Sequence, residues 1–235
     1  MRARTYLLLL TMASLMGCGD SEPESTPEPA TFGDGGARPE SAGPTPDAVQ
    51  VPEDAPMVLV LGDSIAAGLH LPRERAFPAA LQRQMAAAGQ PFHLVNAGVS
   101  GDTSAGGLAR LDWLLQQQPD VLIVELGAND GLRGVKVSAT EQNLREILTR
   151  TQAAGPKILL LGVRIPPSMG PDYSEAFAGI YTRLAQELEV ELVPFFMQGV
   201  AGVPALNLPD ELHPTAEGHE LIASNVAAGL SKLLE

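Results

Sequence analysis

The sequence predicts an α/β domain built on a parallel sheet covered on both faces. Three observations carry this reading. Five short aliphatic runs alternate with longer amphipathic stretches. The runs are apolar on both faces, as strands buried from two sides must be. Polar residues gather just after four of the five runs. The runs span residues 57–61, 92–96, 121–126, 157–163 and 190–195. The helix-like stretches are 76–88, 104–117, 139–153 and 174–189, with a final helix over about 215–233. In such sheets ligands collect beyond the carboxyl ends of the strands, so the residues following each run bear most on function.

Taken in order, the first run (57–61) ends in "GDSIAAG", which brings Ser64 out at the sheet edge near the start of a helix. The second ends in "NAGVSGDTS", where Asn96 reads as structural and Gly101 lets a backbone amide approach a ligand closely. The third ends in "ELGANDGLRG", placing the side-chain amide of Asn129 at a strand end beside Asp130, which reads as a loop stabiliser. The fourth runs into "RIPPSMGPDY" (164–173), a long connection with three prolines. The fifth leads to a loop ending in "PDELHP", and Pro214 opens the last helix, where its missing N–H costs little.

Before this domain lie two segments of different character. "MRARTYLLLLTMASLMGC" joins two arginines to a short apolar stretch, an export signal too short to span a hydrocarbon core of about 30 Å. "Leu15-Met16-Gly17-Cys18" resembles a bacterial lipobox, which implies that Cys18 is lipidated and becomes the mature N-terminus. The plainer reading is an ordinary signal peptide with a chance cysteine. Residues 19–56 hold nine acids against one base and are crowded with Pro, Gly and Ser. They read as a disordered acidic tether, because such a segment buries too little apolar surface to offset the entropy of ordering. The expected organisation is a leader over 1–18, a tether over 19–56 and a folded domain over 57–235, in an exported lipoprotein of the cell envelope.

Composition narrows the chemistry. A formal net charge of −13 with no Lys/Arg cluster argues against nucleic-acid binding. One cysteine rules out an intrachain disulfide and a cysteine zinc cage, and the four histidines form no H-E-x-x-H pair. Oligomeric state stays open, with a monomer as the default.

A serine hydroxyl is a poor nucleophile until a base takes its proton, and histidine titrates in the useful range. His213 alone among the histidines sits in a polar loop with acids beside it. Asp210, three residues earlier, can bond back to Nδ1, fix the tautomer and leave Nε2 for Ser64. Glu211 is the nearer rival acid, and Asp63 reads as holding the amides of its own turn. Transition-state charge needs donors: the Ser64 N–H, a Gly101 amide and the Asn129 side chain could supply three, each typically contributing ~10²–10³ in turnover. Activity is then expected to fall below about pH 6.5, as the base takes a proton.

The blocks "GDSIAAG", "SGDTS", "GAND" and "DELHP", in this order, resemble the SGNH/GDSL hydrolase family. Within it, "VSGDTSAGGLARL" and "VELGANDGLRG" look most like the bacterial acyl-thioesterase, arylesterase and lysophospholipase group. The resemblance implies Ser64 as nucleophile, His213 as base and Asp210 as its orienting acid. It also implies Ser64, Gly101 and Asn129 as oxyanion hole, a flavodoxin-like three-layer fold with a five-stranded parallel sheet, and no metal or organic cofactor. In that group the loop after the fourth strand contacts the acyl chain, which nominates Ile165 and Met169 as substrate-binding residues.

Each assignment has a plainer counterpart. Ser64 could only cap a helix and Asn129 only close a turn, but four such ends arriving together favour a site. His70 and His93 read as surface or turn residues, and His219 as an exposed residue of the last helix. The expected function is a serine esterase or thioesterase acting on small acyl esters or lysophospholipids, anchored to a membrane through its N-terminal lipid. The alternatives are a carbohydrate O-acetylesterase, which needs an open polar site, and a non-catalytic envelope binding lipoprotein on the same fold. A flavin-binding flavodoxin-like module is disfavoured, since its phosphate-cradling turn would be richer in Ser/Thr.

Overall fold

The structure, a computed structural model, describes residues 49–235. The leader, Cys18 and most of the acidic tether lie outside the described residues.

The aliphatic runs are five parallel strands: β1 (Met57–Gly62), β2 (His93–Gly98), β3 (Val121–Glu125), β4 (Lys157–Leu161) and β5 (Glu191–Val193). Their order across the sheet is β2-β1-β3-β4-β5. Among the described residues, seven α-helices accompany them: α1 (Ser64–Ala67), α2 (Phe77–Ala87), α3 (Ser104–Leu115), α4 (Ala128–Leu132), α5 (Val137–Ala154), α6 (Pro171–Leu188) and α7 (Ala216–Leu234). The expected three layers are present. Helices α2 and α7 pack together on one side of the sheet, while α3, α5 and α6 pack in series on the other. The first crossover runs from β1 outward to β2 and all later ones run the opposite way, so direction reverses between β1 and β3. A crevice opens at such a reversal, at the carboxyl ends of the strands. Ser64 follows β1 and Asn129 follows β3, so both stand at its lip.

Burial explains why these runs are strands. Val58 to Leu61, Val121 to Val124 and Leu159 to Leu161 are essentially inaccessible, each covered by helices on both faces. Edge strand β2 is only half-buried. Strand β5 is shorter than the run that predicts it, because Pro194 has no N–H to continue the ladder. Helix α6 begins three residues before the expected 174, since Pro171 occupies its first turn, where proline is well accommodated. The third strand end is not a plain turn: α4 starts at Ala128 and carries Asn129 in its first turn.

Two contacts reach back before Met57, where the folded domain is expected to begin. His93 Nε2 donates to the Pro52 carbonyl at 2.9 Å, and the His93 amide donates to Pro56. The last tether residues are thus held to the domain, and His93 opens β2 instead of sitting in a turn.

His219 is a clearer correction. It is 1% exposed, not a surface residue of α7, and its Nδ1 accepts from the Phe77 amide at the start of α2 at 3.1 Å. The helical period places it on the buried face with Ile222, Ala223 and Val226. Burial, then the neighbouring His213, lower its pKa from the ordinary 6.5 to about 4. The unfolded chain binds this proton below about pH 6.5, whereas the folded protein resists it until about pH 4. Stability is therefore lost as pH falls through that window, by about 3 kcal/mol in all. A His219→Gln variant keeps an acceptor for Phe77 and should lose less stability between pH 7 and pH 4.5 than the parent, followed by thermal melts. Parallel decline in both proteins would exclude His219 as a source of acid sensitivity.

Candidate active site

The nucleophile loop is shaped by two carboxyls. Asp63 Oδ1 accepts from the Ile65 amide at 3.0 Å, capping α1. Glu125, fully buried at the end of β3, accepts from the amides of Asp63 (3.0 Å) and Ala66 (3.3 Å) through one oxygen, and its other oxygen has no partner among the described residues. Gly62 is required here, because a Cβ would stand 2.6 Å from that accepting Glu125 oxygen. Burial, with Asp63 alongside, drives the Glu125 pKa well above the usual carboxyl range. Burial also raises Asp63 to about 6, against the opposing pull of the Ile65 amide and Asn129. The pair holds a proton more tightly than exposed carboxyls do.

Ser64, 8% exposed, projects its hydroxyl from this loop. Its Oγ lies 2.9 Å from His213 Nε2, and His213 Nδ1 lies 2.7 Å from Asp210 Oδ2. A carboxylate at Nδ1 requires N–H there, so Nε2 accepts and Ser64 donates. Asp210 Oδ1 accepts two further bonds, from the Leu212 and His213 amides at 3.0 Å each. The His213 amide and imidazole, then Leu212, hold the Asp210 pKa down at about 2. Glu211, the rival acid, takes a left-handed backbone (φ 60°), and its carboxylate makes no hydrogen bond to His213 among the described residues.

Three donors expected from the sequence keep unspent hydrogens, and two of their residues, Ser64 and Asn129, line the cavity. Ser64 is the first residue of α1, so its N–H has no intrahelical acceptor. The Gly101 N–H donates to nothing among the described residues, and its φ of +81° is one that glycine adopts without strain. Asn129 Nδ2 spends one hydrogen on Asp63 Oδ2 at 3.1 Å, which leaves the other. Two arginines, not anticipated from sequence, hold this set in register. Arg110 donates to the carbonyls of Ala97 and Gly62 and to Asp102 at 2.8 Å, tying β1, β2 and the glycine loop together. Arg133 donates to the Gly101 carbonyl at 3.0 Å. Asp130 acts as a brace, accepting from the Ser104 amide, the Ser104 hydroxyl and Thr140.

Ser64 and His213 line a cavity of about 760 Å³ whose walls are mainly apolar, with Ile65, Leu132, Val163, Ile165, Phe195 and Phe196 prominent. Ile165, nominated for substrate binding, is among the lining residues. Met169 is not: it lies on a short 3-10 turn (Pro167–Met169), is 37% exposed and is absent from the lining. His70 is exposed, yet its ring stands edge-on to His213 with centroids 6.1 Å apart. Among the described residues no group of His, Cys, Asp or Glu could hold a metal ion, and no helix is long and apolar enough to cross a membrane.

Residues 60–221 match the GDSL-like lipase/acylhydrolase family. The chain belongs to that family. This GDSL-family member is an ester hydrolase, with the α/β fold of SGNH hydrolases. It is 44% identical to the esterase TesA of Pseudomonas aeruginosa over 181 residues, covering 77% of this chain and 90% of that protein. It is likewise 44% identical to thioesterase 1/protease 1/lysophospholipase L1 of Escherichia coli K12, covering 77% of this chain and 86% of that one. Among solved structures, a TesA crystal structure superposes with a TM-score of 0.73 at 43% identity, covering 75% of this chain and 99% of the other.

Proposed function

We propose that this GDSL-family member hydrolyses acyl esters and thioesters, lysophospholipids among them, through an acyl-enzyme formed on Ser64. The observation that carries the reading is the unbroken line from Ser64 Oγ through His213 to Asp210, with spacings of 2.9 and 2.7 Å, at an apolar cavity. Ser64 attacks the substrate carbonyl carbon while its proton passes to Nε2. The carbonyl electrons move to oxygen, where the Ser64 and Gly101 amides and Asn129 Nδ2 hold the charge. The C–O or C–S bond then breaks, and the leaving group takes the proton from Nε2. Water repeats the sequence on the acyl-enzyme and frees the acid. Asp210, ionised down to about pH 2, keeps Nδ1 protonated throughout.

The names of the relatives, an esterase and a thioesterase/lysophospholipase, support this substrate class. The apolar lining favours an acyl chain of some length over acetate alone, because burying each methylene contributes about 0.8 kcal/mol. The deciding experiment uses p-nitrophenyl esters from acetate to palmitate, with Ser64→Ala alongside. Ser64→Ala is expected to lower kcat by roughly 10⁴-fold or more. A wild-type optimum is expected beyond acetate. Undiminished turnover in the variant would sink the mechanism, and activity confined to acetate would favour a deacetylase.

A further inference from the structure

We propose that His70 determines specificity on the leaving-group side of the site, where its imidazole hydrogen-bonds a hydroxylated leaving alcohol. The inference deepens the proposed function and rests on it. The cavity extends from Ser64 in one direction only. Asp63, Ser64 and Ile65 line it at the end of β1, and every further lining residue follows β3, β4 or β5. No residue between Ile65 and Ala128 takes part, although β2 lies beside β1 on its other side. An acyl chain held in the cavity therefore runs toward β5. The carbonyl oxygen belongs to the Ser64, Gly101 and Asn129 donors. Substituents on the attacked carbon point apart, so the leaving group is left the side away from the cavity, beside the His213 that gives it a proton.

His70 meets His213 from outside the cavity: it is absent from the lining, yet the two ring centroids are 6.1 Å apart. The turn that carries it is folded onto the nucleophile itself. The Leu69 amide donates to the Ser64 carbonyl at 3.0 Å, and the Leu71 amide donates to the Gly68 carbonyl at 2.9 Å. Between these bonds His70 takes a left-handed backbone (φ 68°), which residues with a side chain seldom adopt. Conformations of that kind cluster at functional sites. His93, His213 and His219 each spend ring nitrogens on protein partners, whereas those of His70 make no hydrogen bond among the described residues. The ring is exposed and its two nitrogens are unspent. Neutral imidazole offers one donor and one acceptor, and a hydroxyl answers either. A plain alkyl alcohol displaces water from these nitrogens and replaces it with nothing, the basis on which a polar site rejects an analogue lacking the hydroxyl.

The test compares kcat/KM for 1-monooctanoylglycerol and propyl octanoate, both kept below their solubility limits, in wild type, His70→Phe and His70→Gln. The two esters share an acyl chain and a three-carbon alcohol and differ only in hydroxyls. In His70→Phe, which keeps a ring against His213, the ratio of glycerol to propyl ester is expected to fall roughly three- to tenfold, the equivalent of one lost hydrogen bond. His70→Gln restores a donor and an acceptor and should recover part of it. Hydrolysis of the octanoyl-enzyme, read from p-nitrophenyl octanoate turnover after its burst, should slow less than twofold, because the alcohol has already departed. An unchanged ratio in His70→Phe overturns the proposal. So does an equal loss on both esters, which would mean that His70 only steadies the His213 ring. Failure of the underlying reading has a different signature: wild type would release no p-nitrophenol from the octanoate in a Ser64-dependent way.

Discussion

Replacing Asp210 by Asn is expected to lower kcat by roughly 10³–10⁴-fold with little change in thermal stability. The substitution spares the turn, because Asn Oδ1 still accepts the Leu212 and His213 amides that Asp210 Oδ1 accepts at 3.0 Å. What changes is the partner of His213 Nδ1, now 2.7 Å from a carboxylate oxygen. An amide NH₂ in that place forces Nδ1 to accept, which moves the ring proton to Nε2. Nε2 then faces Ser64 Oγ, 2.9 Å away, as a donor and cannot take the serine proton. Glu211→Gln, the rival acid, should cost less than tenfold. Steady-state kinetics with a short p-nitrophenyl ester measures both. A kcat for Asp210→Asn within tenfold of the parent would remove Asp210 from the proposed mechanism. Because Asp210 stays charged down to about pH 2, any acid limb at higher pH belongs to another group.

The second large effect is expected at Glu125. Glu125→Leu strands two amides of the nucleophile loop, those of Asp63 and Ala66, in a fully buried position. Each unsatisfied donor costs about 1–3 kcal/mol. The melting temperature should therefore fall by roughly 5–15 °C, at about 2–4 °C per kcal/mol for a domain of this size. Displacement of Ser64 should also reduce kcat by about 10²-fold. Glu125→Gln keeps the acceptor and mimics the protonated acid that burial favours. It should retain most of the parent's stability and activity at neutral pH. The sign with pH is opposite to that of His219. A carboxyl whose folded pKa is raised contributes stability at low pH and loses it as pH rises through the folded value. Wild type should therefore lose ground to Glu125→Gln on the alkaline side. If Gln proves as damaging as Leu at every pH, the loop needs a charged carboxylate and this account of Glu125 fails.

These residues also mark the limit of what is legible in the chain. Asp210 and His213 are three positions apart, and the turn ahead of α7 brings them together by local geometry; the helix itself opens at Ala216 with Thr215 as its cap, not at Pro214 as the sequence suggests. Ser64 and His213 are 149 positions apart, yet each follows a strand end, and a parallel sheet delivers all such ends to one edge. Glu125 could have been suspected as a charge closing an otherwise aliphatic strand, but its partners lie 62 and 59 positions back in sequence. Arg110 carries no local signal, because its bonds to Gly62, Ala97 and Asp102 exist only once β1 and β2 are paired. The misplacement of His219 has the same origin: a histidine one turn into a helix reads as exposed until α2 is known to lie against α7, 142 positions away.

The sequence alone determined the alternation of strands and helices, the side of the sheet on which polar groups collect, and the serine, histidine, aspartate, glycine and asparagine that meet there. Those properties follow from apolar periodicity and turn chemistry, which act over a few residues. Tertiary structure alone decided the strand order, the buried carboxyl pair under the nucleophile loop, the arginine clamp on the glycine loop and the neutral His219. Each depends on burial and on partners far away in the chain, and burial is a property that no segment possesses until the others have packed against it.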